Sequence, residues 1–263
     1  MALSYGDEIM AGGHALAIHK ETGKRVRIAD LYGRTRWSGL WYNLDWIVVP
    51  GEDESGAAMV VNGPFCRPYI SYPFTIESGC RFTGWRARDH LGALRFSSEE
   101  WSFANKAGLE AFVVIEPNIP VRSNPNKQWG REKWQALVDF FYGGVPFVQL
   151  GPPGTEILRG VRHIETPTFR HAAALLTMAD AIIVPEGGLH HAAGALALDA
   201  IVLFGGSPSV EATGYPWHEN IADTSPLAAC GRWSPCDHCA EFWRDLAPEF
   251  VARKLAALLL REE

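Results

Sequence analysis

The stretch Ala181-Ile182-Ile183-Val184-Pro185-Glu186-Gly187-Gly188-Leu189-His190-His191 decides the fold class. Five mostly aliphatic residues run straight into Glu186-Gly187-Gly188, and an alanine-rich segment follows. A short apolar run closed by a glycine turn reads as a buried strand feeding a helix. At such a junction the first N–H groups of the helix have no partner within it and point past the carboxyl end of the sheet. Together with the helix dipole they make a site for a phosphate, and glycine lets a ligand approach the backbone closely. Glu186 is placed to accept from ribose hydroxyls, and His190 and His191 to donate to a diphosphate. The plainer alternative is an ordinary tight turn with surface histidines, since glycine-rich turns are common.

Working outward, strands are expected at residues 111–116, 146–150, 161–164, 181–185 and 200–204, and helices at 131–142, 168–179 and 190–198. This unbroken alternation predicts a doubly wound α/β unit with a parallel sheet. A last helix is expected over 248–261. Upstream, residues 2–5 read as a very short apolar piece, followed by a helix over 9–22 that Gly23 stops, then strands at 25–29 and 46–49. Residues 58–61 and 69–72 suit short strands, and 97–107 a helix with acidic residues in its first turn. The boundary falls near residues 105–110, which divides the chain into an N-terminal part, 1–107, and a C-terminal part, 108–263, ending in a cysteine-rich loop and a helix.

Two further places carry chemistry. Lys127 lies in the loop Ser123-Asn124-Pro125-Asn126-Lys127 after a strand, at the same carboxyl edge as Glu186, where a cation can neutralise a diphosphate; the alternative is a solvated loop lysine. Asp7 precedes the first helix, where a carboxylate can serve as general base toward an acceptor hydroxyl or cap the helix. Its position alone leans to the cap.

The chain has 263 residues, 47% of them hydrophobic, which is enough for a sizeable core. A net charge of −6 argues against a nonspecific nucleic-acid binder. Residues 1–13 lack the basic and apolar regions of a signal peptide, and no apolar run reaches the ~18 residues of a membrane span. A cytoplasmic protein with mostly reduced cysteines is the expectation.

These pieces together resemble glycosyltransferase family 9, whose best-known members are the lipopolysaccharide heptosyltransferases. The likeness is clearest over residues 111–206: the loop with Lys127 and Trp129, the helix bearing Trp134, the helix from His171 to Asp180, the glycine turn, and the strand ending in Phe204-Gly205. Gly188 and His191 match the family's turn, whereas Glu186 stands in place of its aspartate and Gly187 in place of its threonine. The resemblance implies a GT-B-like α/β fold, two Rossmann-like domains facing a central cleft, with the donor against residues 108–263 and the acceptor against 1–107. It implies an inverting transferase of the hexosyl or heptosyl class that requires no metal. Asp7 becomes the base, and Lys127 with the Gly187-Gly188 helix start stabilises the departing diphosphate. Arg122 and Ser123 fall near the phosphates, and Thr168, in Pro167-Thr168-Phe169, near the donor base. The substituted turn argues against assuming a heptose donor. The implied acceptor is a saccharide or lipopolysaccharide-type glycan in a bacterial cytoplasm. The shortened N-terminal part, and the arginines and aromatics of Arg67-Pro68-Tyr69-Ile70 and Trp85-Arg86-Ala87-Arg88, leave room for a phage-type enzyme that glycosylates a modified DNA base. A GT-B epimerase and a non-catalytic nucleotide-sugar binder are the other readings.

Cys230, Cys236 and Cys239 form a C-x5-C-x2-C cluster with His238 inside it. A close pair of cysteines hints at structural zinc, with His218 or His238 as fourth ligand; free thiols or a local disulfide are the alternatives. Cys66 and Cys80 read as isolated.

Overall fold

A computed structural model describes residues 3–75, 77–119, 124–205 and 208–260. Helix α1, Tyr5–Thr22, opens the chain and is closed by Gly23 in the left-handed conformation. Strand β1, Val26–Ala29, and strand β2, Ala58–Val61, pair in parallel. Strands β3, Ile70–Ser71, and β4, Arg81–Phe82, form a short antiparallel ribbon. Helix α2, Ser98–Lys106, then leads into β5, Val113–Ile115.

From β5 onward strands and helices alternate as expected: α3, Arg131–Phe140; β6, Phe147–Gly151; β7, Arg162–Glu165; α4, Phe169–Leu176; β8, Ala181–Pro185; α5, Gly188–Ala195; and β9, Ala200–Gly205. Helix α6, Val210–Thr213, strand β10, Glu219–Ala222, helix α7, Asp237–Asp245, and helix α8, Pro248–Leu259, complete the chain. The sheet order is β10-β9-β8-β5-β6-β7, and every pair is parallel. Counted from β5, this is the doubly wound order 3-2-1-4-5-6, whose switch point lies between β5 and β8.

Successive residues of the sheet face opposite layers. Val114, Ile182, Val184, Val202 and Phe204 pack against α1, α2, α4 and α5. Val113, Ile115, Ile183, Ile201 and Leu203 pack against α3, α7 and α8. Burial on both faces explains why these strands read as continuous apolar runs. The first layer takes apolar residues from both sides of residue 107, among them Ile9, Ala11, Ala15, Val26 and Trp41. Arg170 of α4 ties the same seam: it pairs with Glu100 at 2.5 and 2.8 Å and donates to the carbonyls of Leu40 and Arg95. No helix among the described residues is long and apolar enough to cross a membrane.

Three expectations change. The helix does not wait for residue 9: Ser4 caps α1, and Asp7 returns the bond to the Ser4 backbone. This capping box starts the helix four residues earlier than its apolar periodicity does. The stretch 46–49 makes only a single bridge, Val26 to Ile47. Elements α6, β10 and α7 lie between residues 205 and 248, where no element was expected.

Two glycines allow α1 and α5 to pack closely at their N-terminal ends. A β-carbon on Gly6 would stand 2.5 Å from Cδ2 of His191, and one on Gly188 would stand 2.9 Å from the Phe169 ring and 3.1 Å from Cβ of Tyr5. His191 is buried and held on both ring nitrogens, so it cannot yield. Gly6→Ala is expected to lower stability by about 1–3 kcal/mol through overpacking, measured by denaturant unfolding. An unchanged midpoint would show that the two helix ends are not in close contact.

Candidate functional site

Lys127 closes a short 3₁₀ turn, Pro125–Lys127, that Asn124 caps by accepting from the Asn126 N–H at 2.9 Å. This turn follows β5 just as Glu186-Gly187-Gly188 follows β8, so both hang over the switch point of the sheet. Lys127 Nζ contacts Oε2 of Glu186 directly and stands 3.4 Å from the Glu186 carbonyl oxygen. Glu186 is buried. Burial alone would raise its carboxyl, but the Lys127 ammonium and His191 outweigh burial and hold it well below the usual carboxylate range.

His191 Nε2 stands 3.4 Å from Oε1 of Glu186, and its Nδ1 lies 3.0 Å from the Tyr215 hydroxyl. The tautomer with the proton on Nε2 satisfies both contacts, the tyrosine then donating to Nδ1. His190 faces inward instead. It is fully buried against Phe204, Tyr215 and His218, and neither ring nitrogen has a hydrogen-bond partner among the described residues. Burial pushes its proton affinity well down, so the ring is neutral.

Asp7 reaches the same region from α1. Tyr69 donates its hydroxyl to Oδ1 at 2.6 Å, while Oδ2 accepts from Ser4 and pairs with Arg67 Nε at 2.9 Å. Tyr69 feels the Asp7 charge and also that of Glu186, and burial, the largest influence, pushes its hydroxyl well up. The phenol is therefore a neutral donor to Asp7. Arg67 and Tyr69 come from the segment that had no counterpart in the family pattern. Tyr5 of α1 stacks on Phe169 at 4.3 Å beside Gly188, and is more than half exposed. Thr168 is exposed at the start of α4, where its hydroxyl bonds His171 Nδ1 at 2.9 Å instead of capping the helix. Arg122 and Ser123 lie outside the described residues.

Sequence reasoning missed Glu116, the first residue after β5. Its Oε1 accepts from the Asn118 N–H at 2.8 Å, and its Oε2 is buried with no partner among the described residues. Burial pushes the carboxyl up to about 7. Because that value lies above the ordinary one of 4.5, the stability it contributes is complete below pH 4.5 and is lost as pH rises through about 7. Glu8 carries the same sign: burial outweighs its bidentate bond to Arg36 and raises it to about 7. Glu116→Gln is expected to gain about 3 kcal/mol over the wild type as pH rises from 4.5 through about 7, since each tenfold change in proton affinity is worth about 1.36 kcal/mol. Unfolding curves with parallel pH profiles would refute the neutral buried acid.

Glu186, His190 and His191 bring potential metal-ligand atoms within 4.8 Å of one another. The donor set does not suit a cation, however. The Lys127 ammonium already occupies the carboxylate, and the N-termini of α1 and α5 both present positive dipole ends here. The arrangement suits an anion that carries hydroxyl groups.

No family model matches the sequence, and no curated protein sequence matches it. Solved structures do match the fold. A glycosyltransferase family 9 protein from Veillonella parvula superposes with a TM-score of 0.61 at 14% identity, over 99% of this chain and 99% of that one. The iron-containing dodecameric glycosyltransferase TibC from enterotoxigenic E. coli superposes with a TM-score of 0.61 at 13% identity, over 100% of this chain and 75% of that one. E. coli ADP-heptose lipopolysaccharide heptosyltransferase II is 23% identical over 65% of this chain, with a TM-score of 0.49, and the match spans 54% of that protein's length. The α/β architecture expected from the sequence is thus the GT-B-like fold that the first two of these glycosyltransferases share, one of them of family 9.

Proposed function

We propose that the chain is an inverting glycosyltransferase that takes a nucleotide-sugar donor at the β5–β8 switch point and passes the sugar to an acceptor hydroxyl. The observation that carries this reading is the meeting of Lys127 with the open N-terminus of α5 at the carboxyl edge of a doubly wound sheet. Ligands of open α/β sheets bind at such a point, and a helix N-terminus with a lysine beside it stabilises a diphosphate as it departs.

In this reading residues 108–263 hold the donor and residues 1–107 face the acceptor. The diphosphate lies across Gly187-Gly188 and draws Lys127 toward it. Glu186, relieved of that ammonium, accepts from the ribose hydroxyls. His191, buried and oriented by Tyr215, donates through Nε2 to Glu186 and keeps that carboxylate aimed at the ribose, while His190 backs the turn from the core. Thr168 borders the nucleotide base. Asp7, paired with Arg67, takes the proton of the acceptor hydroxyl as that oxygen displaces the diphosphate in line, which inverts the anomeric carbon. The exposed Tyr5–Phe169 pair offers the apolar face of a sugar ring a stacking platform, which favours a glycan acceptor.

A thermal-shift screen of ADP-, UDP-, GDP- and CMP-linked sugars tests the donor site. One class should raise the melting temperature, because a ligand at a hundredfold its Kd adds about 2.7 kcal/mol by mass action. His191→Ala should weaken that shift. A screen in which no nucleotide-sugar shifts melting, or a shift indifferent to His191, would remove the donor site from this turn.

A further inference from the structure

We infer that Cys230, Cys236 and Cys239 bind a structural zinc ion, with His238 as fourth ligand, and that this ion pins the loop carrying Lys127. The three sulfurs lie within 4.8 Å of one another, and Cys230 and Cys239 are 3.4 Å apart as free thiols. Tetrahedral zinc at about 2.3 Å from each sulfur needs sulfurs about 3.8 Å apart, so the cluster is close to that geometry. Cys236 caps α7 and Cys239 sits in its first turn, both buried, where the helix dipole favours thiolates. Each thiol that ligates releases its proton to solvent.

His238 is the candidate for the fourth position; it lies outside the group that the three sulfurs form, so its ring shifts toward them to ligate. Its Nε2 is held by Asp223 Oδ2 at 2.5 Å and Ser225 Oγ at 2.8 Å, and its Nδ1 is buried with no partner among the described residues. A carboxylate on one ring nitrogen and a free second nitrogen is the usual arrangement behind a metal-bound histidine. His218, the other candidate by sequence, bonds the Leu198 carbonyl at 3.1 Å and packs on His190 and Tyr215. Cys80 is not isolated: its N–H donates to the Gly231 carbonyl at 3.0 Å. It braces the cysteine loop through its backbone.

The loop reaches both sides of the candidate active site. Asn126, next to Lys127, donates its amide to the carbonyls of Arg232 at 3.0 Å and Ser234 at 2.8 Å, and accepts from the Cys236 N–H at 3.0 Å. On the other side the Trp233 ring lies 5.5 Å from the guanidinium of Arg67, the partner of Asp7. An ion that fixes residues 230–239 therefore fixes the frame on which Lys127 is presented.

The site stands or falls independently of the transfer reading, because its first readout is the metal. Elemental analysis of chain purified without chelator should find about one zinc per chain. Chelated chain refilled with cobalt should show the intense red-region bands of tetrahedral cobalt–thiolate. Cys239→Ser should lose both signals, His238→Ala should shift the cobalt bands, and Cys80→Ser should keep them. Iron in place of zinc would retain the thiolate site and overturn the assignment of the ion. No metal and no cobalt–thiolate bands in the unmutated chain would overturn the site. Shifted bands in Cys80→Ser with unchanged bands in His238→Ala would overturn the fourth ligand. Amide exchange at residues 124–128 should quicken when the metal is removed; unchanged exchange there would overturn the pinning.

Discussion

Replacing Asp7 with asparagine is expected to lower turnover by about 10²–10⁴-fold, the usual contribution of a positioned general base, while nucleotide affinity stays nearly unchanged. The amide keeps the size of the carboxylate but cannot accept the proton of an attacking hydroxyl. Asp7 has structural work as well, since Ser4, Arg67 and Tyr69 all converge on it. The two roles separate by measurement. A lost cap costs about 1 kcal/mol of stability and the loss of the buried counter-charge of Arg67 about 3–5 kcal/mol more, and neither acts on the rate well below the melting temperature. A lost base depresses kcat at every temperature. Tyr69→Phe tests the same geometry more gently: it frees Oδ1 and should lower turnover without abolishing it. Normal turnover in Asp7→Asn would return the residue to a capping role and leave the base to be found elsewhere in the cleft.

The contrast between Asp7 and Glu186 shows what a sequence can carry. Pro185 to Gly188 was legible because everything that shapes it is local: an apolar run sets the strand, glycines permit the close approach, and the helix start follows at once. The surrounding order of strands was legible for the same reason, since a sheet buried on both faces demands apolar runs. The start of α1 was misread because the capping box of Ser4 and Asp7 is polar and precedes the apolar periodicity. The partners of Asp7 were out of reach: Tyr69 is separated from it by 62 positions, in a segment with only two-residue strands. Glu116 was hidden by its context, because an acidic residue at a strand end ordinarily lies in solvent. The cysteine spacing was visible, but its bonds to Asn126 span 106 to 110 residues, a separation that no local pattern encodes.

Lys127→Ala is expected to act twice at the switch point. It removes the cation proposed to face the diphosphate; a charge-assisted hydrogen bond is worth about 1.5–3 kcal/mol, so nucleotide affinity should fall by roughly ten- to over a hundredfold. It also leaves Glu186 buried without its main counter-charge, a loss of about 3–5 kcal/mol of stability when one partner of a buried pair is removed. The sign with pH separates the effects. In the wild type the Glu186 carboxyl is held below its ordinary value, so its contribution is present above that value and is lost as pH falls through the folded one. In Lys127→Ala burial is opposed only by the histidines, the carboxyl rises, and the variant should instead gain stability relative to wild type on acidification. Lys127→Ala combined with Glu186→Gln removes the stranded charge and should recover most of the stability. Affinity should stay low, because no cation has been restored; this is the non-additivity expected of two groups in direct contact. A Lys127→Ala chain that melts like the wild type and binds nucleotide equally well would make Lys127 an ordinary loop lysine. Because Glu186 is itself proposed to hold the ribose, the double variant is read against Glu186→Gln alone, which keeps the cation: a further fall in affinity from the single to the double variant shows that Lys127 serves the ligand, and equal affinity of the two shows that it serves the fold alone.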